Sequence, residues 1–247
     1  MKPPSSTLAV WFANTSSGPP GPIETCCEAW LEPEEIVRAD RFRQPTSRNQ
    51  HVVGRGMARK LLGEEVVAPN EIRFAEAVHG KPYVITPDAA KQPFNIAHTD
   101  GMVMCGVGQN HHELVGVDVE RLGRQTDPAI AERFFSVPEI DYLRTKRDTA
   151  EYRNAFLKVW TLKESFIKAI GTGLQTPLAD FAFVDVDTDE PKIEMLNPKL
   201  ESDLNWHFFS FHPKAGFVAA VAVACRNDQP QIKLDIKCFD DLILWSK

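Results

Sequence analysis

The apolar residues of the chain follow two spacings, one typical of strands and one typical of helices. Alternating or continuous apolar runs predict strands, and the clearest are LAVWFA, MVMCGVG, LVGVDVE, FAFVDV, LNWHFFSF and FVAAVAVAC. Spacings of three and four predict helices over most of residues 33–62 and from Ser136 to roughly Ile170, with a polar break at 146–149. A short polar segment separates MVMCGVG from LVGVDVE and predicts a hairpin. Such a mixture of elements predicts an α+β protein.

Hydropathy and cysteine usage indicate the cellular compartment. The longest aliphatic run covers residues 217–225, far short of the roughly 20 residues that a membrane helix needs. The first residues lack the pattern of a secretory signal. Five cysteines occur without a CxxC pair, and their odd number favours a reducing compartment over a disulfide framework. We therefore expect a cytoplasmic protein without membrane contact.

Net charge and missing motifs argue against three classes of ligand-binding protein. The net charge of −6 argues against a nucleic-acid binder, whose partner would favour a basic surface. Neither GxxxxGKS/T nor GxGxxG occurs, so neither a P-loop nor a dinucleotide-binding domain is predicted. A local basic pocket for a small phosphorylated ligand remains compatible with the overall charge.

The helical pattern in KVWTLKESFIKAIG (158–171) contains charged residues where apolar residues are expected. At about 100° per residue, Lys163 falls inside the arc of Leu162 and Phe166. Glu164 and Lys168 follow beyond that arc, one turn apart. A buried ammonium group needs an anionic partner or a route to solvent. One alternative is therefore a Lys163 that reaches solvent beside a surface Glu164–Lys168 ion pair, and the other is a ligand site.

Two carboxylates lie on one face of the predicted strand VGVDVE (115–120). Asp118 and Glu120 point to the same side, about 7 Å apart along the strand. Like charges so placed repel unless a cation lies between them, and Mg²⁺ prefers such oxygen ligands. Gly116 on the same face fits the close approach of a ligand. The alternative is a polar strand edge that faces solvent.

Ser136 and Glu139 match a capping box at the start of the following helix, with Pro138 in the first turn. In such a box the serine oxygen and the glutamate carboxylate each accept a hydrogen bond from an otherwise unbonded amide. We therefore assign Glu139 to a structural role.

Five short blocks follow one another along the chain. They are HGKP (79–82), FNIAH (94–98), GVDVE (116–120), RFFSVPE (133–139) and WTLKESFIKAIGTGL (160–174). Together they resemble the 4′-phosphopantetheinyl transferases, most closely the surfactin-synthetase-activating class. The last three blocks match that family's GxDxE, FSxxE and WxxKExxxK patterns, and the first two resemble its GKP and FNxSH segments. The likeness covers roughly residues 34–185.

The resemblance implies a fold of two similar α+β halves with the active site in the cleft between them. Residues 1–110 would form the N-terminal half, which contacts the 3′-phosphate and adenine of coenzyme A. Residues 111–247 would form the C-terminal half, which carries the metal and the catalytic residues. Such enzymes use Mg²⁺ to transfer the phosphopantetheine arm of coenzyme A to a serine of a carrier protein and release 3′,5′-ADP.

The resemblance also implies roles for residues of the C-terminal half. Asp118, Glu120 and Glu164 would be ligands of Mg²⁺, and Asp118, Glu164 and Lys168 would form the catalytic set. Glu164, directly or through water, would take the proton of the attacking serine. Lys168 would steady or protonate the leaving group. Lys163 and Lys168 would both contact the coenzyme, with Lys163 against the pyrophosphate.

Coenzyme contacts in the N-terminal half are implied in the same way. Lys81 and His98 would hold the 3′-phosphate, and Gly80 and Pro82 would form the turn beside the adenine. Further candidate contacts are the polar or basic residues Arg38, Arg41, Arg48 and Asn95. An arginine-rich helix that is simply solvated is the alternative for the three arginines.

Two residues depart from the family pattern. Ala97 stands where the family usually has serine, so one hydroxyl contact to the phosphate is expected to be missing. Glu35 stands where close relatives often carry lysine, which weakens the expected basic contact from that helix. Both changes predict weaker coenzyme binding and leave the metal ligands unaffected.

The implied partner is an acidic acyl or peptidyl carrier protein. It would dock near Arg121 to Leu143, where Arg121, Arg124, Arg133 and Arg144 supply attracting charges. A complete set of metal ligands in one chain would let a monomer act alone. The alternatives are a non-catalytic coenzyme A-binding scaffold and another Mg²⁺-dependent phosphoryl-transfer enzyme that acts on nucleotides.

Overall fold

The computed structural model describes residues 6–64, 66–109, 111–226 and 232–244, which form two compact units. The first unit takes the described residues within Met1–Asn110 and Pro230–Lys247, and the second takes those within His111–Gln229. Both units combine helices with β-sheets, so the predicted α+β class is confirmed.

A four-stranded sheet forms the base of the first unit. Its strands are β1 (Thr7–Asn14), β4 (Phe94–Thr99), β5 (Met102–Val107) and β11 (Lys233–Cys238). They lie in the order β11-β1-β5-β4. β1 is antiparallel to β5 and parallel to β11, and β5 is antiparallel to β4.

The end of the chain differs from the predicted division into halves. β11 pairs with β1, from Lys233 opposite Thr7 to Cys238 opposite Phe12. Residues 232–244 therefore belong to the first unit, whereas the sequence analysis placed all of 111–247 in the second half. The physical reason is the free edge of β1, whose unpaired backbone groups the last strand satisfies.

Four helices and a hairpin complete the first unit. The helices are α1 (Pro22–Glu28), α2 (Pro33–Ala39), α3 (Pro45–Gly63) and α7 (Phe239–Leu244), and the hairpin strands are β2 (Arg73–Glu76) and β3 (Pro82–Thr86). Proline opens α1, α2 and α3, because the first turn of a helix leaves its N–H groups unbonded and proline has none. α3 buries Val52, Val53 and Met57 in the core of this unit.

The second unit contains an antiparallel sheet, a hairpin and three helices. The sheet strands are β6 (His112–Arg121), β9 (Asn205–Phe211) and β10 (Phe217–Cys225), in the order β6-β10-β9. The hairpin strands are β7 (Phe181–Val184) and β8 (Lys192–Met195), and the helices are α4 (Pro128–Phe134), α5 (Val137–Arg144) and α6 (Thr149–Ile170).

β5 and β6 do not form the predicted hairpin, because they belong to different sheets. β6 pairs with β10 instead, where Val115, Val117 and Val119 lie opposite Val223, Val221 and Ala219. These apolar cross-strand pairs stabilise the observed partner.

α6 has clear signals at both ends. The Asp148 carboxylate accepts hydrogen bonds from the backbone N–H groups of Ala150 and Glu151, and Gly171 ends the helix with a φ of 73°. The predicted break before this helix is confirmed, since α5 ends at Arg144. α6 has 22 residues, yet neither it nor any other helix in the described ranges is apolar enough to cross a membrane.

Candidate active site

α6 crosses β6 at backbone contact distance in the second unit. A side-chain carbon built on Gly116 would lie 2.0 Å from the carbonyl oxygen of Ser165 and 2.5 Å from the backbone nitrogen of Ala169. Only glycine leaves room for a helix backbone at this distance. The interpretation that Gly116 admits a ligand is therefore wrong, because the helix itself fills that space. Asp118 and Glu120 follow on the same face of the strand, beside α6.

We expect Gly116→Ala to lower the free energy of unfolding by about 3 kcal/mol, the upper range for overfilling a packed site. The added methyl group must displace α6, because its nearest neighbours are backbone atoms. Urea denaturation followed by circular dichroism measures the change. Gly123→Ala is the matched control, since nothing lies within 4 Å of its added carbon. Equal unfolding free energies for the two variants would contradict the crossing.

Asp118 and Glu120 are buried, and each forms an ion pair. Asp118 Oδ1 lies 2.5 Å from Lys168 Nζ on α6, and Glu120 pairs with Arg124. The second oxygen of Asp118, Oδ2, is buried and has no hydrogen-bond partner among the described residues. A buried carboxylate oxygen without a donor is costly. This atom therefore marks a position that suits a cation or a hydrogen-bond donor.

Glu164 lies close enough to these carboxylates to respond to their charges. Burial, together with the charges of Asp118 and Glu120, raises the pKa of Glu164 to about 7, although Lys168 and Arg124 oppose the shift. Burial also raises the pKa of Asp118 despite its ion pair with Lys168, so desolvation outweighs the attraction there. The structure thus brings Asp118, Glu120, Glu164 and Lys168 into one group.

Arg124 takes a position that the sequence analysis missed. Its guanidinium carbon lies 6.0 Å from the centre of the Trp160 ring, and its terminal nitrogen pairs with Glu120. Trp160 stacks on Phe156, which stacks on Phe135. The aromatic stack holds Arg124 beside the carboxylates, so this arginine is not simply a surface charge. The tryptophan at the start of WTLKES was the signal that a cation could lie nearby.

The fit of this group to a metal ion can be judged from its donor atoms. Within the described residues, no three His, Cys, Asp or Glu side chains are already arranged around a metal position. Lys168 and Arg124 pair with Asp118 and Glu120 instead. The donors nevertheless fit a hard divalent cation, because they are all carboxylate oxygens and Asp118 Oδ2 is unbonded. A cation would also reduce the repulsion that, together with burial, raises the pKa of Glu164.

The structure contradicts the predicted contact of Lys163 with the pyrophosphate. The Lys163 side chain is fully buried, and its Nζ lies 2.7 Å from Glu139 Oε2. Nζ also donates hydrogen bonds to the carbonyl oxygens of Leu178 and Phe181, at 2.7 and 2.8 Å. Each of the three ammonium protons thus has an acceptor. Burial lowers the pKa of Lys163 to about 8, although Glu139 opposes the shift.

Glu139 has the predicted structural role and a second one. Its Oε2 accepts hydrogen bonds from the backbone nitrogen and the hydroxyl of Ser136, which confirms the capping box. Its Oε1 accepts a hydrogen bond of 2.9 Å from the backbone nitrogen of Phe183 in β7. Together with the Lys163 ion pair, one carboxylate therefore connects α5, α6 and β7.

The predicted coenzyme-binding turn lies between β2 and β3 of the first unit. Gly80 has a φ of 80°, and its N–H donates to the carbonyl of Ala77, while the N–H of Ala77 donates to the carbonyl of Lys81. Glycine suits this left-handed conformation. Pro82 begins β3, and burial lowers the pKa of Lys81 to about 8.

Asn95 and His98 both lie on β4, with Asn95 buried and His98 exposed. Phe94 and Ile96 contribute to the core of the first unit, and His98 continues the same alternating series. His98 lies close enough to His51 on α3 to affect the pKa of that residue. Ala97, which lies between Asn95 and His98 on β4, is buried.

The structure does not support Arg48 as a phosphate contact. Its Nη1 lies 2.9 Å from Glu28, and its Nε lies 2.9 Å from Asp40. The hydrogen bond that Arg48 donates to Glu28 is the main cause that raises the pKa of Arg48. Two carboxylates therefore already bind this guanidinium, whereas Arg41 is exposed.

Glu35, the departure from the family pattern, has partners of its own. Its Oε2 lies 2.8 Å from Arg59 Nη2 and accepts a hydrogen bond from the backbone nitrogen of Glu32 in a capping box. Its Oε1 lies 3.7 Å from Arg55 Nε. The acidic residue at this position thus orders two arginines of α3.

Known proteins match this chain over much of its length. Residues 114–222 match the family model described as ACPS: 4′-phosphopantetheinyl transferase superfamily. Over 208 residues the chain is 32% identical to the 4′-phosphopantetheinyl transferase HetI of Nostoc sp., with 82% of each protein covered. The chain belongs to the 4′-phosphopantetheinyl transferase superfamily. Members of this superfamily are transferases, so the protein is an enzyme of that class.

Two further comparisons cover less of this chain. The superfamily member Sfp of Bacillus subtilis is 31% identical over 155 residues, which cover 62% of this chain and 66% of Sfp. A holo-(acyl-carrier-protein) synthase from Bacillus anthracis in complex with CoA has a TM-score of 0.40 and 18% identity. That alignment covers 47% of this chain and 98% of the synthase.

Proposed function

We propose that this transferase moves the 4′-phosphopantetheine group of coenzyme A to a serine hydroxyl of an acyl or peptidyl carrier protein, requires Mg²⁺ and releases 3′,5′-ADP. Superfamily membership supports the reaction class. The observation that carries the proposal is the group formed by Asp118, Glu120, Glu164 and Lys168, with its unbonded carboxylate oxygen. Enzymes of phosphoryl transfer use metal ions, a residue that activates the nucleophile and cationic side chains, and this group can supply the ligands, the base and an ammonium group.

Three carboxylates are assigned to the metal ion. Asp118, Glu120 and Glu164 would hold it, with Asp118 Oδ2 already free of hydrogen bonds. When bound, Mg²⁺ neutralises negative charge on the pyrophosphate and on its leaving group. Arg124, which now pairs with Glu120, would then be released toward the substrate phosphates.

Glu164 and Lys168 are assigned to proton and charge transfer. The serine oxygen forms a bond to the β-phosphorus of coenzyme A as the bond to the 3′,5′-ADP oxygen breaks. Glu164 accepts the serine proton, since it is less buried than Asp118 and Glu120. Lys168 donates a hydrogen bond to the departing phosphate, and its position is set by the 2.5 Å contact with Asp118.

Residues of the first unit are assigned to the coenzyme. Lys81 and His98 would contact phosphate, and Gly80 with Pro82 would form the adenine-side turn. Asn95 and Arg41 remain candidate contacts of the same unit. Arg48 and Lys163 are left out of this set, because carboxylates already bind both side chains.

The test is a transfer assay that weighs the carrier protein. The purified enzyme is incubated with an apo carrier protein, coenzyme A and Mg²⁺, and mass spectrometry follows the carrier. We expect a gain of one phosphopantetheine group, loss of the reaction with a chelator, and recovery when Mg²⁺ is restored. A carrier whose acceptor serine is replaced by alanine serves as the control and should gain nothing.

Two other results would overturn the proposal. If coenzyme A binds but no acyl or peptidyl carrier gains mass, the protein is a coenzyme A-binding scaffold. If a nucleoside triphosphate competes better than coenzyme A for the site, the protein is a different phosphoryl-transfer enzyme.

A further inference from the structure

Arg124 is a half-exposed cation at the edge of the candidate active site. Its side chain keeps 49% of its surface exposed, whereas the side chain of Glu120, with which it pairs, keeps 10%. The side chain of Asp118, the neighbouring carboxylate on the strand, keeps 7%. The Arg124–Glu120 pair therefore joins a carboxylate that the fold holds in place to a guanidinium that has solvent on one side.

The backbone of Arg124 is fixed by a turn that follows β6. Its N–H donates a hydrogen bond of 2.9 Å to the carbonyl of Arg121, and the N–H of Leu122 donates one of 2.9 Å to the carbonyl of Gly216. A side-chain carbon added to Gly123 would meet nothing within 4 Å, so the turn has open space next to Arg124. The turn thus places the arginine beside Glu120 and leaves its side chain room to rotate.

The ring of Trp160 gives the guanidinium a contact that does not depend on Glu120. The guanidinium carbon lies 6.0 Å from the centre of this ring. Trp160 lies on α6, one turn before Glu164, and its ring stacks on that of Phe156. An arginine on an aromatic face can keep that contact while its N–H groups change acceptor. Arg124 can therefore leave Glu120 without leaving the site.

A divalent cation and Arg124 need the same carboxylate. Arg124 Nη1 donates a hydrogen bond to Glu120 Oε1. A hard cation bound to Glu120 would share that carboxylate with the guanidinium, and the two positive charges would repel each other. Asp118 Oδ2, by contrast, has no hydrogen-bond partner in the described part of the chain. A metal ion can thus reach this oxygen of Asp118 directly, but it must compete with Arg124 for Glu120.

A pyrophosphate would supply a new acceptor for the displaced guanidinium. Guanidinium N–H groups match the spacing of phosphate oxygens and form strong, charge-assisted hydrogen bonds with them. Arg124 would then exchange a carboxylate for a phosphate while it stays on Trp160. Because this exchange offsets the lost ion pair only when the phosphates are present, the metal ion gains more from binding together with the coenzyme than from binding alone.

We propose that Arg124 competes with the divalent cation for Glu120, and that the phosphates of coenzyme A draw Arg124 away, so that metal ion and coenzyme bind cooperatively. The identity of the phosphate ligand rests on the proposed function, whereas the competition for Glu120 does not. By thermodynamic linkage, the metal ion must strengthen coenzyme binding by the same factor by which the coenzyme strengthens metal binding.

The experiment is a titration of the full-length protein with Mn²⁺, first without coenzyme A and then at a saturating concentration of it. No carrier protein is present, so no transfer occurs. Mn²⁺ prefers the same oxygen ligands as Mg²⁺, and electron paramagnetic resonance measures the free ion directly. Arg124→Gln removes the competing guanidinium. Arg121→Gln is the matched control, because it removes the same charge from the exposed neighbour of Glu120, which points to the opposite face of β6.

Without coenzyme A, we expect Arg124→Gln to bind Mn²⁺ about tenfold more tightly than the wild type, since no ion pair has to break. Coenzyme A should increase the Mn²⁺ affinity of the wild type by a factor about tenfold larger than that for Arg124→Gln. Arg121→Gln should stay within about twofold of the wild type in both titrations, because solvent and salt screen an exposed charge that does not contact the ion. Thermal denaturation checks that each variant is folded.

Other outcomes would overturn the inference. Equal or weaker Mn²⁺ binding by Arg124→Gln would show that Arg124 does not compete for Glu120, and the transfer assay would still test the proposed function separately. The same gain in Arg121→Gln would assign the effect to overall charge. Tighter binding by Arg124→Gln alone, with no effect of coenzyme A on either protein, would retain the competition but reject the coupling and the proposed use of coenzyme A. Absence of Mn²⁺ binding throughout would reject the metal site and the competition with it.

Discussion

Replacing Glu164 by glutamine is expected to lower the rate of phosphopantetheine transfer by about 10²- to 10⁴-fold, the usual contribution of a general base. Glutamine keeps the size of the side chain but cannot accept the serine proton. It also removes one of three carboxylates that repel one another, a repulsion that adds to burial in raising the pKa of Glu164. The free energy of unfolding should therefore stay constant or rise while the turnover number falls.

Steady-state kinetics with saturating carrier protein, combined with urea denaturation, separates these two quantities. Glu194→Gln is the matched control because Glu194 is an exposed carboxylate on β8 of the same unit, and it should retain full activity. A loss of activity that follows a loss of stability would indicate a structural role for Glu164. Unchanged turnover would remove it from the proton transfer.

Replacing Lys163 by methionine is expected to lower the free energy of unfolding by about 3–5 kcal/mol, because it leaves the buried Glu139 carboxylate without its cation. The carbonyl oxygens of Leu178 and Phe181 also lose their donor. Urea denaturation at pH 7 measures the loss. Lys199→Met, at an exposed lysine of the second unit, should change the unfolding free energy by no more than about 0.5 kcal/mol.

A double variant separates the pair from its surroundings. Lys163→Met combined with Glu139→Gln removes both charges, so it should be more stable than Lys163→Met alone. A lysine that contacted substrate would behave differently. Its replacement would raise the KM for coenzyme A and leave stability unchanged, and that result would restore the original prediction for Lys163.

Local signals predicted the elements and much of the carboxylate group. The alternation of VGVDVE placed Asp118 and Glu120 on one face of a strand. The four-residue spacing of Glu164 and Lys168 placed them one turn apart on a helix. The capping box at Ser136 and the polar break before α6 could also be predicted from the sequence, because each depends on neighbours within a few residues. Resemblance to a family then indicated that strand and helix would meet.

Contacts between distant segments could not be predicted in the same way. A lysine in an apolar arc is compatible with a route to solvent, with an ion pair or with a ligand site. Only the fold shows that Glu139, 24 residues earlier, pairs with Lys163. Gly116 is similar, since a glycine on a strand permits close approach of either a ligand or a helix. The β5–β6 hairpin was expected because its strands are adjacent along the chain, but β10 offered β6 a longer apolar partner.

The bonding of the basic residues on α3 also depends on contacts between distant segments. His51, Arg55 and Arg59 recur every four residues, yet the same spacing occurs on solvated helices. The backbone carbonyl of Glu35 and the side chain of Glu76 decide which of these nitrogens are bonded and which are not. Such information exists only once α2, α3 and β2 are packed together.

The pairing of β11 with β1 affects the order in which the molecule is made. The second unit is continuous along the chain, so a ribosome completes it before the last strand of the first unit exists. Closing that sheet joins residues 7 and 233, a contact of high sequence separation that forms slowly. Until then β1 has an open edge, which is a template for pairing with other chains. A nascent or shortened chain therefore has an additional site for aggregation at its first strand, although the residues that it lacks are its last.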